Sequence, residues 1–579
     1  MKHLRVGPLV RATTATSVVI WAELAQPCTV ILSATLDASP SQPPIQVTTR
    51  TITVGGHHYV APQLQGLEPA RWYNYRLDIS APATLDPDHA ASPPDTAVNM
   101  LQCFRTLDQA ATRAEHSLRL FYGSCRRLTQ PKRDTLEALG RWLIQHSDLR
   151  EQLWPHVLLL IGDQIYADNP PPPLIQMYSH THNRALSFAD FALQYSYVWT
   201  NTPGVRQALA CIPTFMMHDD HEIMNGWNGT PTWRAQVALS GQDHILVDGL
   251  VAYWVYQGWG NLDPQQEATH PLMQIMKEAT QTGKDALQAL RTCIKQTVLG
   301  STDLRWHYTI PTTPPIFVSA TRTNRSSTLH LDDPYAPMYI MSDQQMAELR
   351  NWLQEQQTGI SLLVSSIPIL LPPCIGLAEY LAGVRLWTDA STPLRWLGHQ
   401  LARLQFKVAE IAGFEHWPVY TTSWHELVSS IAQQAGDVVV LSGDVHFSYS
   451  MEGRPVATQR SHLQPPRLYQ LVSTPIQNAL QTKERRLIRG QAFIKRATYG
   501  GLSTRVLPLQ VQHPHIDTLH DLLFEDTIAR IIITLQPQHE QKYDIRQEYL
   551  GLVDGELEVI GRTVFAKAAL RKVGKNYER

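Results

Sequence analysis

The chain has 579 residues, which suggests several domains at the usual ~100 to 200 residues each. Hydrophobic residues make up 43% and charged residues 17%, a balance that excludes a chain disordered throughout. Lys+Arg 49 against Asp+Glu 51 gives a net charge of −2, so no global field attracts nucleic acid or an acidic membrane. We therefore expect no stable nucleic-acid partner, and an anionic substrate must be held locally.

Cysteine usage and the N-terminus bear on the compartment. The six cysteines are scattered without a CxxC pair, which indicates mostly reduced thiols rather than a disulfide framework. The first ten residues, MKHLRVGPLV, lack the apolar core of an export signal. The most continuous apolar stretch, residues 360–371, is too short to span a bilayer. These features predict a cytoplasmic protein without a membrane span.

The first hundred residues alternate between apolar and polar positions in short runs. Candidate strands at 17–22, 29–34, 46–54 and 72–79 are separated by Pro, Gly and Ser clusters, with no helical pattern between them. Such spacing is typical of a β-sandwich. We predict a fibronectin- or immunoglobulin-like domain over residues 1–108.

From residue 117 onward, strand-like and helix-like segments alternate, which predicts an α/β domain over residues 117–540. Capping-box signals at Ser342 and Ser423 each mark an expected helix start. Insertions are expected near 169–210 and 265–312. A C-terminal extension at 541–579 carries a hairpin signal, Asp554-Gly555.

Three polar clusters each follow an apolar strand run: GDQIYAD at 162–168, HDDHEIMN at 218–225 and SGDVHFS at 442–448. Each cluster alone could be a helix cap or a turn. Because the carboxyl ends of neighbouring strands meet at one edge of an α/β sheet, their carboxylate, imidazole, amide and phenolate groups can converge on metal ions. A shared carboxylate can hold two cations ~3.5 to 4 Å apart. Together the clusters predict a dinuclear hydrolase.

A fourth element, Gly123-Ser124-Cys125, also ends a strand-like run. A cysteine there can be a thiolate ligand if a cation lowers its pKa. The residues alone favour the commoner alternative, a small buried side chain.

The sequence resembles the alkaline phosphatase D family of PhoD-like metallophosphatases in five motifs and in their order. These motifs are GSC, GDQIYAD, DDHEIMN, the helix entry SDQQ at 342–345 and SGDVHFS. Residues 6–24 and 66–77 are similar to that family's β-sandwich. The resemblance implies a calcineurin-like four-layer α/β/β/α sandwich behind the N-terminal domain. It also implies a metal-dependent phosphoesterase that acts on phosphomonoesters.

The resemblance further implies a ligand set. Asp163 would bridge two metals, with Cys125, Tyr166 and His446 completing a site for Fe³⁺. Asn225 and Asp444 would hold Ca²⁺, with Mn²⁺, Zn²⁺ or Mg²⁺ as alternatives.

A hydroxide bridging the metals would then attack phosphorus in line, and the cations would stabilise the developing charge. His221, beside Asp220, would orient substrate or protonate the leaving alkoxide. The alternative is that His221 only steadies the loop of Asn225, and that Asp219 and Asp220 fix the same loop.

Three arginines, Arg126, Arg322 and Arg325, are candidates to clamp phosphate oxygens. Ala320 stands where the family usually has an aspartate, a departure that affects the local arginine placement.

Two alternatives remain open from the sequence. The same dinuclear site could cleave phosphodiesters. The chain could instead be a non-catalytic binding protein with a degenerate phosphatase domain, although none of the six expected metal ligands is missing.

Overall fold

The computed structural model describes residues 3–80, 100–108, 116–129, 133–227, 231–298, 304–323, 325, 335, 337–356, 359–456, 465–536 and 542–565. Nine strands form the N-terminal region: β1 (Leu4–Thr13), β2 (Ser17–Leu24), β3 (Thr29–Leu36), β4 (Ile45–Arg50), β5 (Ile52–Val54), β6 (His57–Val60), β7 (Gln63–Gln65), β8 (Trp72–Ser80) and β9 (Cys103–Arg105).

These strands make two antiparallel sheets. One sheet has the order β1-β2-β6-β5, with β7 also on β2, and the other has the order β4-β3-β8-β9. Val10 and Ile20 of the first sheet share a buried cluster with Leu32, Tyr73 and Phe104 of the second. The predicted N-terminal β-sandwich is confirmed.

The remaining strands are β10 (His116–Gly123), β11 (Val157–Ile161), β12 (Thr214–Met217), β13 (Tyr308–Ile310), β14 (Ile316–Val318), β15 (Ile360–Val364), β16 (Asp437–Ser442), β17 (Tyr449–Pro455), β18 (Leu468–Val472), β19 (Arg496–Tyr499), β20 (Leu502–Val506), β21 (Leu509–Val511), β22 (Thr518–Leu519), β23 (Leu522–Leu523), β24 (Ile528–Gln536), β25 (Lys542–Val553) and β26 (Glu556–Thr563). They form a seven-stranded sheet, β12-β11-β10-β24-β25-β26-β21, and an eight-stranded sheet, β13-β14-β15-β16-β18-β17-β20-β19; β22 and β23 pair separately.

The helices are α1 (Thr135–Gln145), α2 (Arg150–Leu153), α3 (Pro172–Ile175), α4 (Phe188–Thr200), α5 (Pro203–Cys211), α6 (Pro231–Leu239), α7 (Asp243–Tyr253), α8 (Pro264–Thr269), α9 (Pro271–Thr282), α10 (Leu287–Val298), α11 (Asp343–Glu355), α12 (Pro373–Gly383), α13 (Thr392–Ala412), α14 (Thr421–Ala432) and α15 (Thr482–Gln491). Within the described residues, no helix combines the length and apolar character needed to cross a bilayer.

Strand β11 shows how four layers arise from one sequence. Strand β11 pairs in parallel with β10 and β12, and all five of its residues are buried because both faces of the sheet are covered there. Leu158 and Leu160 pack with the helices outside the seven-stranded sheet. Leu159 and Ile161 pack in the core shared with the eight-stranded sheet. Helices such as α11 cover that second sheet in turn, which confirms the α/β/β/α sandwich.

The predicted boundary at residue 540 is wrong, because the C-terminal strands belong to the catalytic core. Strand β25 pairs with β24 along nine residue positions, from Ile528↔Leu550 to Gln536↔Lys542, and β26 pairs with both β25 and β21. The hairpin expected at Asp554 is present, with Asp554 and Gly555 at positive φ. It joins two core strands rather than forming an extension.

The N-terminal domain reaches into the second domain through Arg11. This buried side chain on β1 donates to the backbone oxygen of Gln257 at 2.5 Å and to Oδ1 of Asn261 at 2.9 Å. Asn261 also accepts from the backbone of Met216 in β12 at 3.0 Å. Through these bonds the sandwich supports the end of a strand that carries site residues.

Candidate metal centre

The polar clusters meet at the carboxyl ends of strands from both sheets. Cys125 follows β10, Asp163 follows β11 and Asp219 follows β12 in the seven-stranded sheet. Asp444 and His446 follow β16 in the eight-stranded sheet. Three groups of residues each bring their donor atoms within 4.8 Å of one another. The groups are Cys125, Asp163 and His446; Asp163, Asp220 and His221; and Asp219, Asp220 and Asp444. The shared members make this one continuous centre.

Unusual backbone geometry marks the expected ligands. Cys125, Asp163, Asp444 and His446 have φ of 58°, 55°, 70° and 60°, in the left-handed region that side chains other than glycine rarely adopt. Conformations of this kind cost ~1 to 3 kcal/mol each and cluster at functional sites. Here they turn four side chains off strand ends toward the same point.

The glycines that precede two of these aspartates allow the loops to approach closely. A Cβ at Gly162 would lie 2.6 Å from Cβ of Asp219, and a Cβ at Gly443 would lie 2.0 Å from Oγ of Ser124. The Gly-Asp pairs in the sequence are therefore explained by contact between neighbouring strand ends.

We call Cys125, Tyr166 and His446, with Asp163, the first half of the centre. Oδ2 of Asp163 lies 3.4 Å from Sγ of Cys125 and 3.3 Å from the hydroxyl of Tyr166. The Tyr166 hydroxyl is 3.4 Å from Nε2 of His446. Thiol, phenol, imidazole and carboxyl donors thus face a common space, as the sequence predicts.

We call Asp219, Asp220 and Asp444 the second half. The buried guanidinium of Arg322 lies between them: its Nη2 is 3.2 Å from Oδ1 of Asp444 and 3.9 Å from Oδ1 of Asp220. Its Nε contacts Asp219, and its Nη1 is 2.5 Å from Oε2 of Glu415. One arginine therefore faces four carboxylates, which leaves negative charge in excess.

The donor set fits bound cations. Burial raises the pKa of Asp163, Cys125 and Tyr166 well above their ordinary values, and neighbouring acidic groups add to this effect. Oδ2 of Asp219 is buried without a hydrogen-bond partner among the described residues. Buried anionic oxygens of this kind are normally paired or bound to metal. Cys125, Asp163, Tyr166 and His446 would hold one ion.

Asn225, the predicted oxygen ligand of the second half, stays a prediction. Asn225 is exposed, and its described hydrogen bond comes from the backbone N–H, which donates to Oδ2 of Asp168 at 2.7 Å. Asp220 lies within reach of both Asp163 and Asp444. Asp220 is therefore a further candidate oxygen ligand beside the predicted Asn225.

His221 lies over the first half, with its ring 4.4 Å from that of Tyr166. Nδ1 is 2.9 Å from Oδ1 of Asp168, so Nε2 is the nitrogen left for other contacts. Burial disfavours the charged ring, but the hydrogen bond to Asp168 and the carboxylates of Asp163 and Asp220 outweigh it and raise the pKa of His221 to about 10. The imidazolium is therefore available as a proton donor at neutral pH.

The three candidate arginines do not face an open substrate space. Arg126 is fully buried and bonds Asp134 at 2.7 and 2.9 Å. Arg325 is also buried, donating to the backbone of Thr321 and, at 2.9 Å, to the hydroxyl of Tyr420. Arg322 is occupied by the carboxylates of the second half. These placements correct the expectation that the three clamp phosphate, since each guanidinium is already bonded inside the protein.

The sequence analysis missed a buried support beneath the centre. Glu222 accepts backbone N–H groups of Asp163, Gln164 and Asp219 at 2.7 to 2.8 Å. Gln257 donates to the same carboxylate at 3.1 Å from the π-helical turn Trp254–Gly258. Glu222 is in the predicted motif, but nothing in the spacing shows that it ties two strand ends together.

Two further contacts were also missed. Asn478, after β18, donates from Nδ2 to the hydroxyl of Tyr166 at 2.8 Å. His416 links Asp444 to the buried Glu379, with distances of 3.0 Å to Oδ2 of Asp444 and 2.7 Å to Oε1 of Glu379. Asn478 lies in no recognisable motif, and the pattern Glu415-His416-Trp417 does not by itself show that His416 reaches Asp444, so only the folded chain reveals these contacts.

Comparisons with known proteins bear on the family and the fold of the chain. A family model described as PhoD-like phosphatase matches residues 142–500, and one described as domain of unknown function (DUF7800) matches residues 1–97. No curated protein sequence matches the chain. The chain is similar to a solved structure of PhoD, with 14% sequence identity and a TM-score of 0.59. The match covers 98% of this chain and 94% of the PhoD chain.

A purple acid phosphatase, PPD1 from yellow lupin (Lupinus luteus) seeds, is 10% identical, covering 95% of this chain and 73% of its own with a TM-score of 0.45. The PhoD-like match covers more than half of the 579 residues and includes Asp163, Asp220, Asp444 and His446. The chain therefore belongs to the PhoD-like phosphatase family and is a metallophosphatase, a hydrolase of phosphoric esters.

Proposed function

We propose that this metallophosphatase hydrolyses phosphomonoesters at a two-cation centre, with Fe³⁺ in the first half and Ca²⁺ in the second. The observation that carries the proposal is the convergence of four left-handed residues, Cys125, Asp163, Asp444 and His446, from the strand ends of two sheets. A thiol and a phenol beside an imidazole favour iron, whereas an all-carboxylate set favours Ca²⁺, Mn²⁺ or Mg²⁺.

Asp163 is suited to serve both ions. Oδ2 faces Cys125 and Tyr166, whereas Oδ1 is on the side of His221 and accepts its backbone N–H at 3.2 Å. Bound cations would supply Lewis acidity and an activated water at this point. Asp220 and Asp444 would hold the second ion, and Arg322 would keep Asp219 and Asp444 in place.

His221 would act as the general acid. The bond from Nδ1 to Asp168 leaves Nε2 for the substrate, and the same bond raises the pKa of the ring and so favours its protonated form. A proton from Nε2 to the departing alkoxide oxygen would avoid the release of a strongly basic leaving group.

Metal analysis combined with two assays tests the proposal. The purified chain should contain iron and a second cation and should hydrolyse an aryl phosphomonoester faster than a bis-aryl phosphodiester. Asp163→Asn should lose both metals and reduce kcat/KM by more than about 10³-fold, the upper range for losing one preorganised stabilising group. Leu239→Ser, in the exposed end of α6, is a control that should keep full activity.

Two results would overturn the proposal. A folded, metal-free protein without hydrolysis after reconstitution would contradict the two-cation centre. Faster hydrolysis of the phosphodiester than of the phosphomonoester would contradict the monoester assignment but not the two-cation centre.

A further inference from the structure

Helix α13 presents an apolar stripe whose members recur every three or four positions. This spacing places side chains on one side of a helix. The stripe consists of Leu394, Leu397, Leu401, Leu404, Val408 and Ile411. From Leu394 to Ile411 the stripe is about 25 Å long at a rise of 1.5 Å per residue.

The stripe faces away from the protein. Ile411 is 87% exposed and Leu404 is 58% exposed. The side of α13 next to the stripe carries the small buried residues Gly398, Ala402 and Ala409, which allow the helix to lie close to its neighbours. An amphipathic helix normally buries its large apolar residues, and α13 does the reverse.

The stripe is part of a larger apolar surface. Among the described residues, nearly half of the exposed large hydrophobic side chains lie within residues 381–411. They include two tryptophans, Trp387 and Trp396, the latter 63% exposed. A concentration of this kind marks an interaction site, and tryptophan is enriched where protein meets the interface of a bilayer.

Positive charge accompanies this surface. Arg395, Arg403 and Lys407 are exposed on α13, against Glu410 alone among its acidic residues. A helix with an apolar side of Leu, Val, Ile and Trp and a basic polar side is typical of peripheral membrane binding.

A second basic and apolar segment lies on the other side of α12. Gln405 of α13 donates to the backbone of Leu381 in α12 at 2.7 Å, and Tyr380 of α12 packs against Tyr499 of β19 with ring centroids 5.7 Å apart. The chain just before Tyr499 exposes Phe493 and Arg496. The basic segment therefore borders the same helical hairpin.

We infer that the outer face of α12 and α13 binds the surface of an anionic lipid bilayer. Apolar side chains would enter the acyl boundary, and the arginines and lysines would pair with anionic headgroups. A second copy of the chain is the less favoured occupant, because two identical basic faces repel each other. Local charge matters here, since the whole chain carries a net charge of only −2.

Vesicle co-sedimentation of the full-length chain tests the inference. Binding is expected to vesicles of phosphatidylcholine with phosphatidylglycerol and to be weaker on phosphatidylcholine alone. It should fall as NaCl is raised from 0.1 to about 0.5 M, because salt screens exposed charges. The combined variant Leu397→Ser, Leu404→Ser, Ile411→Ser should reduce binding at least about tenfold, since three apolar side chains lose their burial.

Leu239→Ser provides the matched control, because Leu239 is 88% exposed on α6, outside this surface. It should bind vesicles like the unaltered chain, and the triple variant should keep its hydrolysis of a soluble aryl phosphate and its unfolding temperature. The inference is overturned if the unaltered chain does not bind anionic vesicles, or if the triple variant binds equally well. It is also overturned if light scattering shows a dimer that the triple variant dissociates without any vesicle binding.

Discussion

The two halves of the metal centre differ in how the protein balances their charge. In the first half, Tyr166 and His446 are contacted by the neutral amide of Asn478 at 2.8 and 3.4 Å. In the second half, Asp444 is contacted by two cationic groups, Arg322 and His416, at 3.2 and 3.0 Å. The second half therefore carries part of its counter-charge within the fold.

This difference predicts that the ionisation of the ligands depends on bound metal more strongly in the first half than in the second. Without a cation, burial keeps the Cys125 thiol and the Tyr166 phenol protonated, since it raises the pKa of each. A metal entering the first half must displace those protons. Asp444 has its pKa lowered, because the bond to His416 and the charge of Arg322 outweigh its burial, so this carboxylate is ionised before any metal arrives.

We expect the largest effect from a substitution that removes the positive charge of Arg322 from the second half. Arg322→Met should destabilise the metal-free protein by about 3 to 5 kcal/mol, the usual cost of leaving one partner of a buried ion pair unpaired. Added Ca²⁺ should stabilise this variant more than the unaltered chain, since the ion replaces the lost positive charge. Denaturant unfolding with and without Ca²⁺ measures both; equal Ca²⁺ responses would show that Arg322 does not compensate the site.

A paired substitution sharpens the assignment of the second ion. Asp220→Asn should lose the second metal and roughly 10²-fold in kcat/KM, whereas Asn225→Ala, at an exposed side chain, should change kcat/KM less than about twofold. Metal content by mass spectrometry and steady-state kinetics separate the two. A larger loss of metal and of kcat/KM in Asn225→Ala than in Asp220→Asn would favour Asn225 as the ligand.

The smallest effect concerns the proton on His221. Asp168→Asn removes a carboxylate that raises the pKa of His221 from its ordinary value toward about 10. Because the acid form is lost as pH rises through that pKa, a lower pKa should shift the alkaline limb of the pH–rate profile to lower pH. A profile that keeps its alkaline limit in Asp168→Asn would assign the limb to another group.

Local pattern predicted the elements that lie on strong periodic signals. The capping signal at Ser342 is confirmed, with its Oγ accepting from the backbone of Gln345. The helix start predicted at Ser423 is wrong, because α14 begins two residues earlier, at Thr421, and Ser423 is buried inside the helix. Packing on the eight-stranded sheet outweighed the local cap there.

The family resemblance implied the individual ligands Cys125, Asp163, Tyr166, Asp444 and His446, whereas the amino-acid sequence by itself predicted the β-sandwich, the α/β domain and the convergence of the three polar clusters. It could do so because strand periodicity and Gly-Asp turns are local properties of consecutive residues. Only the tertiary structure decided that Asp220 lies within reach of Asp163 and Asp444, that Arg322 serves carboxylates rather than substrate, and that β25 and β26 complete the core. These depend on contacts between residues far apart in the chain, where side-chain direction is set by packing and charge pairing rather than by spacing.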